Sequence, residues 1–397
     1  MDFVRDISIT PTDCNIKKLS SSYRDVLKIF FQNMKDAFIS YKNNSDKINH
    51  KKMYIDDDNI ELDEPNVFFP ALIHEHIMLY ASTKYSYNFI LYERIFVVEF
   101  VFFNQIPDKK VISSYIKKIY MWLYILSLYA KKECTKTLRI TIFLSNFKKK
   151  MSGSQFNSQS DILDAINVNT AWTYRCKEHN SITIYRKEEW FKVLCHETIH
   201  TFGLDFDLIP GHIYMDKCNS MFNIQSDFLL NESYCEFLAT IWSTIFNAYC
   251  MCSSPKLFNE FADKYYELMF TEKQYSIFQA IKVLNYMKLN YYDLFNFDLP
   301  RQQFVENSNV FCYYVVKSLL LFNDTKTIAL IVDMNENIMD FDDNNVNIMK
   351  FIHHIEDLKL DVNFLDILNE IQEKKYNLGK RNKSCELLKS LKMTLHG

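Results

Sequence analysis

Two histidines, with a glutamate beside the first, form the most informative short pattern in the sequence. His196 and His200 are four residues apart, and Glu197 follows His196 directly. In a helix, residues at this spacing lie on one face, with their Cβ atoms roughly 5–6 Å apart. Two imidazoles at that spacing can bind one zinc ion, and Glu197 can then take a proton from a zinc-bound water. The pattern therefore predicts a site for a single zinc ion.

The residues around this pattern predict a buried helix. The helix is expected from about Lys187 to Phe202, and Gly203 stands where a C-terminal cap is expected. Its apolar residues are Trp190, Phe191, Val193, Leu194, Ile199 and Phe202. The alternative interpretation is a surface helix that carries two unrelated histidines. Imidazoles in this apolar helix should be at least half buried, and because buried polar groups need partners, a metal ion is favoured.

The third protein ligand of a catalytic zinc site is expected downstream, on another element. Glu232 and Glu236 are four residues apart in a strongly apolar stretch, so a helix would project both carboxylates from one face. Two carboxylates on the buried side of a helix need a partner, and a cation is the natural one. We expect Glu232 to be the third ligand, and Glu236 to orient a ligand histidine through its other ring nitrogen. The alternative is that both carboxylates lie on an edge of the helix that faces solvent.

Together these residues resemble the pattern of the zincin metallopeptidases, in particular the gluzincin branch. That pattern is HExxH on one helix and E-x-x-x-[D/E]-x-x-A on the next long helix, and the resemblance covers roughly residues 90–250. The matching residues are His196, Glu197, His200, Glu232, Glu236 and Ala239. The resemblance implies a zincin-like fold with one Zn2+ ion. It also implies hydrolysis of a peptide or protein substrate by a metal-activated water, with Glu197 as the general base.

A rival ligand set follows the second histidine. The residues after His200 imitate the metzincin extension HExxHxxGxx[H/D], but the position of its third ligand is Phe206, which cannot bind zinc. Asp205 and Asp207 each miss that position by one residue. His212, on the following stretch, is a further candidate. Glu232 is favoured over this set, although the sequence leaves the third ligand open.

The resemblance also implies further site residues. A Tyr or His in this class often donates a hydrogen bond to the oxyanion, and Tyr313 or Tyr314 could do so, although a core position is the alternative for both. An edge strand pairs with the substrate peptide in this class, and residues Val168–Arg175 occupy its place. Asn169 and Thr170 are then expected beside the cleft, as substrate-binding residues.

The order of predicted elements indicates an α+β fold. A strand, a helix, three strands and the motif helix follow one another, at Arg94–Phe103, Lys109–Lys132, Leu138–Leu144, Val168–Arg175, Ser181–Arg186 and about Lys187–Phe202. We expect a zincin-like N-terminal lobe with a mixed sheet over residues 67–220, and a helical C-terminal lobe over 221–397 that carries the third ligand. Residues 1–66 are predicted to hold one helix and an acidic linker, with a loop over 42–66.

Other histidines and cysteines are weaker candidates for a site. His74 and His76 would lie on one side of a strand, but such a pair is more typical of a partly buried surface than of a metal site. The ten cysteines show no repeated spacing, so they are expected to be free thiols in a reducing compartment.

Composition narrows the class of protein. Of 397 residues, 48% are apolar and 24% are charged, which is ordinary for a globular protein, and the net charge of -3 indicates no large basic face for nucleic acid.

There is no signal-like N-terminus, and the longest apolar stretch is too short to span a membrane, so we expect a soluble cytoplasmic protein with no membrane partner. Glycine is scarce, and Phe, Tyr, Asn, Lys and Ile are abundant, which is typical of AT-rich coding in parasites or large DNA viruses. For a viral protein, the expected location is the host cytoplasm or the virion. Nothing in the sequence indicates an oligomeric state.

Two other functions compete with an active peptidase. One is a catalytically silent protein that keeps a zincin fold to bind peptides or a partner, and the intact Glu197 argues against it. The other is a helical structural protein whose motif arose by chance, which predicts no bound metal.

Overall fold

A six-stranded mixed sheet is formed by the residues that the computed structural model describes, which are 2–9, 21–55, 62–151, 162–206, 212–254, 257–335, 337–381 and 385–397. Its strands in spatial order are β1 (Asn49–Tyr54), β2 (Thr83–Leu91), β3 (Arg94–Phe102), β4 (Thr137–Phe143), β6 (His179–Ile184) and β5 (Ala171–Thr173). The β3, β4 and β6 strands are parallel, whereas β1, β2 and β3 are antiparallel neighbours and β5 is antiparallel to β6. Within the described ranges, no strand pairs with the outer edge of β5.

Helices make up most of the remaining structure. They are α1 (Asp2–Asp6), α2 (Ser21–Asn44), α3 (Ala71–Tyr80), α4 (Lys109–Ser127), α5 (Ala165–Val168), α6 (Trp190–Thr201), α7 (His212–Met221), α8 (Leu230–Met251), α9 (Phe258–Tyr286), α10 (Lys317–Phe322), α11 (Asp324–Asn335), α12 (Asn345–Leu358), α13 (Val362–Arg381) and α14 (Glu386–Lys389). A turn of π-helix, Phe311–Val316, leads directly into α10. The chain is therefore mixed α+β with a helical C-terminal part.

One face of the sheet packs on α4 and α6, because both helices present apolar residues to it. Phe96 and Phe100 of β3 lie in the same buried core as Ile119 of α4 and Leu194 of α6. The core continues through α8 and α9 and also includes α2. Long-range packing of this kind, rather than local helix propensity, supplies most of the stability of such helices.

A smaller apolar cluster covers part of the opposite face. Phe69, Ile73 and Ile77, from α3 and the residue before its N-cap, pack on Val101 and Tyr185. This cluster holds α3 beside the β5 end of the sheet.

Several predicted elements are confirmed by the structure. The strands expected at Arg94–Phe103, Leu138–Leu144 and Ser181–Arg186 correspond to β3, β4 and β6. Asp108 caps α4 by accepting a hydrogen bond of 2.8 Å from the backbone N–H of Lys110.

Residues 42–66 were predicted to form a loop, and that prediction is wrong for β1. The strand pairs with β2 along six residues, although it is exposed along most of its length. A solvated edge strand lacks alternating burial, so its sequence carries no apolar pattern to reveal it. The domain boundary predicted at residue 66 therefore divides one sheet, because β1 lies before it and the other strands lie after it.

Three further features differ from the predictions. His74 and His76 lie on helix α3 rather than on a strand. The strand expected over Val168–Arg175 is shorter, because residues Ala165–Val168 form the short helix α5, capped by Asp164. β2 is absent from the predicted strands, although its Tyr, Phe and Ile residues are typical of one.

Cys134 and Cys176 form a disulfide, which contradicts the expectation that every cysteine is a free thiol. The bond joins the loop before β4 to the turn between β5 and β6.

Among the described helices, none is both long and apolar enough to cross a membrane.

Candidate metal centre

Helix α6 carries the two histidines and ends where the sequence predicts. Gly203 follows the helix with φ +66°, a conformation that favours glycine. A Cβ atom at this position would lie 2.9 Å from Cys134 Sγ, so a larger residue would also collide with the disulfide. The N–H of Leu204 donates to the carbonyl of Ile199, which closes the helix end.

Three side-chain atoms from α6 and α8 converge at one point. His196 Nε2 lies 3.1 Å from His200 Nε2 and 3.1 Å from Glu232 Oε2, and the third side of the triangle, from His200 Nε2 to Glu232 Oε2, is 3.7 Å. Atoms bound to one tetrahedral ion at about 2.0–2.1 Å are separated by roughly 3.3 Å. The triangle therefore has the size of three zinc ligands, and two imidazoles with one carboxylate are a donor set that could hold this ion.

Each histidine has a carboxylate at its other ring nitrogen. Glu236 Oε1 lies 3.0 Å from His196 Nδ1, and Asp205 Oδ2 lies 2.7 Å from His200 Nδ1. At His200 the Asp205 carboxylate accepts a hydrogen bond at Nδ1, which places the ring proton there and leaves Nε2 with a free lone pair. At His196 the Glu236 carboxylate is near Nδ1, but that nitrogen makes no hydrogen bond in the described structure. Both Nε2 atoms face the triangle, and Glu236 lies at the nitrogen where the sequence predicts an orienting carboxylate.

The carboxylates that lie beside the two Nδ1 atoms are themselves held by cations. Asp205 is fully buried and accepts a hydrogen bond of 2.9 Å from Arg175 Nε, while the Arg175 Nη2 donates to the Asp205 carbonyl. Lys192, one turn before His196 on α6, is also fully buried and donates to Glu236. Buried carboxylates without such partners would be strongly destabilising.

The ionisation of these groups follows from their crowding. Burial alone would lower the pKa of His196 and His200, but surrounding acidic groups, among them Glu232 and Asp205, outweigh it and raise both pKa values. Burial alone would raise the pKa of Glu232, but the two histidines hold it well below its usual value. The arrangement of charges therefore favours a positive charge at the centre of the triangle.

Glu197 differs from the other acidic residues of the site. Burial raises its pKa above the usual value, and the opposing attraction of His196 and His200 does not cancel that effect. Its side chain lines the same cleft as the three converging atoms. A carboxylate with a raised pKa in this position has the proton affinity that a general base requires.

The cleft has a volume of about 200 Å³ and opens between the end of the sheet and α8. It is lined by Phe68, Asn169, Ala171, Trp172, Thr173, Arg175, His196, Glu197, His200, Asp205, Asn231, Glu232 and Tyr313. Asn169 is therefore at the cleft, and Thr170 lines an adjoining cavity of about 30 Å³ beside His196 and Glu197. Asn169 thus lies at the cleft and Thr170 beside it, and a substrate-binding role for either residue stays a prediction.

Only one of the two candidate tyrosines reaches the site. The hydroxyl of Tyr313 donates to Glu232 Oε2 over 3.1 Å, and its ring lies beside that of His196. Tyr314 points elsewhere and donates to the carbonyl of Leu391 over 2.6 Å in the core. Of the two, Tyr313 alone lines the cleft, because neighbouring residues in the π-helical turn point in different directions.

The rival third ligands do not join the triangle where the structure describes them. Asp205 binds Nδ1 of His200, on the opposite side of the ring from Nε2, and Phe206 is buried in the core. Asp207 and the side chain of His212 lie outside the described residues. Cys235 Sγ lies 3.8 Å from His200 Nδ1, but that nitrogen already has Asp205 at hydrogen-bond distance, so the triangle with Glu232 is the better donor set.

Asp205, Arg175 and Lys192 are the site residues that the sequence does not reveal in these roles. Asp205 did carry a signal, because it is a lone acid within the apolar run from Phe202 to Phe206. A fully buried carboxylate must have a polar partner, and the nearest histidine in the sequence is His200.

The chain matches no protein-family model, and no curated protein or solved structure is significantly similar to it.

Proposed function

We propose that this chain is a zinc-dependent peptidase with a zincin-like fold. The observation that carries the proposal is the triangle of His196 Nε2, His200 Nε2 and Glu232 Oε2, with sides of 3.1, 3.1 and 3.7 Å. It lies in a cleft beside Glu197, the His200 ring is oriented by Asp205, and Glu236 lies 3.0 Å from Nδ1 of His196. A helix that carried its histidines by chance would have no reason to combine these features.

Each residue has a role that follows from its position. A zinc ion held by the triangle would supply Lewis acidity, lowering the pKa of a water and polarising a carbonyl. Glu197 lines the cleft, where it would accept the proton of an attacking water within hydrogen-bond reach and pass it to the leaving amine. The Tyr313 hydroxyl donates to Glu232 in this structure. During the reaction it would exchange that partner for the developing oxyanion.

The edge of β5 supports a polypeptide as the substrate. The N–H of Tyr185 donates to the carbonyl of Thr170, and hydrogen-bonded pairs alternate along an antiparallel ladder. The backbone groups of Ala171 and Thr173 therefore point away from β6, toward the cleft that they line. An extended peptide can add there as a further strand, which would bring its backbone past Glu197.

The test combines metal content with hydrolysis of a peptide library. We expect about one zinc ion per chain in the purified protein, and cleavage that stops with a chelator and returns with zinc. Glu197→Gln should keep the zinc and lose hydrolysis, whereas Glu232→Ala should lose zinc. Glu75→Gln, an exposed carboxylate on α3, is the matched control and should change neither property.

Stoichiometric zinc in Glu232→Ala would show that the third ligand is a different residue. Zinc without cleavage by the wild-type protein would instead support a catalytically silent peptide-binding protein. Absence of zinc from the wild-type protein, even after refolding with the metal, would reject the metal centre.

The compartment in which this activity would occur is also a proposal. A cytoplasmic location accords with the free thiols that the structure describes, such as the buried Cys195 and Cys235. The disulfide between Cys134 and Cys176 requires that this pair escape reduction there.

A further inference from the structure

Phe68 is an aromatic residue of the cleft whose backbone is hydrogen-bonded and whose side chain is half exposed. Its N–H donates to Asn66 Oδ1 over 2.8 Å, and its carbonyl accepts a hydrogen bond of 2.7 Å from the Tyr185 hydroxyl. Asn66 and Phe69 also exchange two backbone hydrogen bonds across the turn. The next residue, Phe69, is fully buried and stacks on Tyr185, while 48% of Phe68 is exposed. The turn therefore fixes Phe68 without covering it.

Phe68 and Trp172 line the same cleft, and Trp172 lies on the α3 side of β5. Successive side chains of a strand point to opposite faces of the sheet. Ala171 belongs to the main core on the α6 side, whereas Trp172 packs against the smaller cluster that contains Phe69 and Tyr185. Phe68 and Trp172 both line the cleft, so they form an apolar wall on the α3 side of the peptide path.

The charged groups of the cleft lie elsewhere. His196, Glu197 and His200 project from α6 and Glu232 from α8, while Arg175 follows β5 and is paired with Asp205. A strand added beside β5 would alternate its side chains between the metal side and the α3 side. A side chain on the α3 side would meet two aromatic rings. Asp63 also lies on that side, but its carboxylate accepts a hydrogen bond of 3.1 Å from Thr183, the cross-strand partner of Trp172, and it does not line the cleft.

Resting on the proposed peptidase function, we propose that Phe68 and Trp172 form an apolar subsite that selects a large apolar side chain of the bound peptide. Phe68 is the residue that determines this preference, since it is the more exposed of the two rings. Covering its exposed apolar surface favours binding of an apolar side chain.

The experiment compares cleavage of a peptide library by the zinc-loaded wild-type protein and by Phe68→Ala. Wild-type cleavage should show a preference for Leu, Met or Phe at one position close to the scissile bond. Phe68→Ala should lower kcat/KM for the preferred peptide about 10-fold, chiefly through KM, and should leave the same peptide with Gly at that position nearly unchanged. Phe68→Tyr should keep the preference.

Leu72→Ala is the matched control, because it removes an apolar side chain that is 60% exposed on α3 but does not line the cleft. It should leave the preference intact. A preference that is unchanged in Phe68→Ala, or an equal loss on the apolar and Gly peptides, would overturn the subsite.

A binding measurement separates this inference from the peptidase proposal. The zinc-loaded Glu197→Gln protein should bind the apolar peptide about 10-fold more tightly than its double variant with Phe68→Ala. If that difference holds while the wild-type protein cleaves nothing, the subsite stands and the hydrolytic function fails. If no peptide is bound or cleaved, both proposals are wrong.

Discussion

Asp205 Oδ2 lies 2.7 Å from Nδ1 of His200, five residues earlier in the chain. The contact is fully buried, and Arg175 holds the carboxylate from its other side. The contact orients the His200 ring so that Nε2 faces Glu232. A residue that follows α6 therefore helps to set the shape of the triangle.

The first prediction is that Asp205→Ala weakens the metal site. Without the carboxylate, the His200 ring loses its orientation and basicity, so zinc affinity should fall about 10–100-fold. Competition with a chromophoric chelator measures this change, and circular dichroism checks that the variant is folded. Asp343→Ala removes a different contact of Arg175, at 3.5 Å, and should leave zinc affinity within about twofold of wild type, an estimate based on surface ion pairs. Unchanged affinity in Asp205→Ala would show that the contact has no influence on the site.

The second prediction compares two adjacent tyrosines. Tyr313→Phe should lower kcat about 100-fold while zinc content stays constant, because it removes the hydroxyl expected to stabilise the oxyanion. Tyr314→Phe leaves the carbonyl of Leu391 without its partner, which should cost about 1 kcal/mol of unfolding free energy and change kcat little. Steady-state kinetics and urea unfolding distinguish the two effects. Equal losses of kcat in both variants would remove Tyr313 from the mechanism.

The third prediction concerns the disulfide beneath the end of α6. Reduction of Cys134–Cys176 opens a covalent loop with a sequence separation of 42, so the free energy of unfolding should fall by about 3–4 kcal/mol. Zinc affinity should fall as well, because the N–H of Cys176 donates to the carbonyl of His200 and Gly203 packs on both cysteines.

Denaturant unfolding and zinc titration of the Cys134→Ala, Cys176→Ala double variant test this expectation. Cys250→Ala, at an exposed free thiol, serves as the control and should match the wild-type protein. A double variant with wild-type stability and zinc affinity would mean that the bond does not brace the site.

The fourth prediction is a loss of stability in acid. Burial would raise the pKa of Glu189, but Lys149 and Lys192, with the backbone N–H of Met393, lower it from 4.5 to about 2. Glu189 also accepts the N–H and hydroxyl hydrogen bonds of Thr394. Because the folded-state pKa is depressed, this stabilisation is complete above about pH 4.5 and disappears as the pH falls toward 2. It amounts to about 3 kcal/mol.

Urea unfolding of the wild-type protein and of Glu189→Gln at several pH values measures this contribution. The linkage relation predicts that the wild-type protein exceeds Glu189→Gln in unfolding free energy most at pH 7, and that this difference shrinks by roughly more than half at pH 3. Glu386→Gln, at an exposed ion pair with Lys150, should show little difference at any pH. A constant gap between the wild-type protein and Glu189→Gln would contradict the predicted pKa.

The local part of the candidate site could be predicted from the sequence because helix geometry fixes it. Residues four apart lie on one face of a helix. The placement of His196 beside His200, and of Glu232 beside Glu236, therefore follows once α6 and α8 are helical. The apolar neighbours of the motif predicted its burial, and Gly203 predicted the end of α6. Short runs rich in β-branched and aromatic residues likewise predicted β3, β4 and β6.

Contacts between distant parts of the chain were decided by the tertiary structure. The sequence could not choose between Tyr313 and Tyr314, because the direction of each depends on the π-helical turn and its packing. It gave no means of pairing Cys134 with Cys176, or of bringing Phe68 to the same cleft as Trp172. Spacing along one helix is set by the backbone alone, whereas the meeting of side chains from separate elements depends on how the whole core packs.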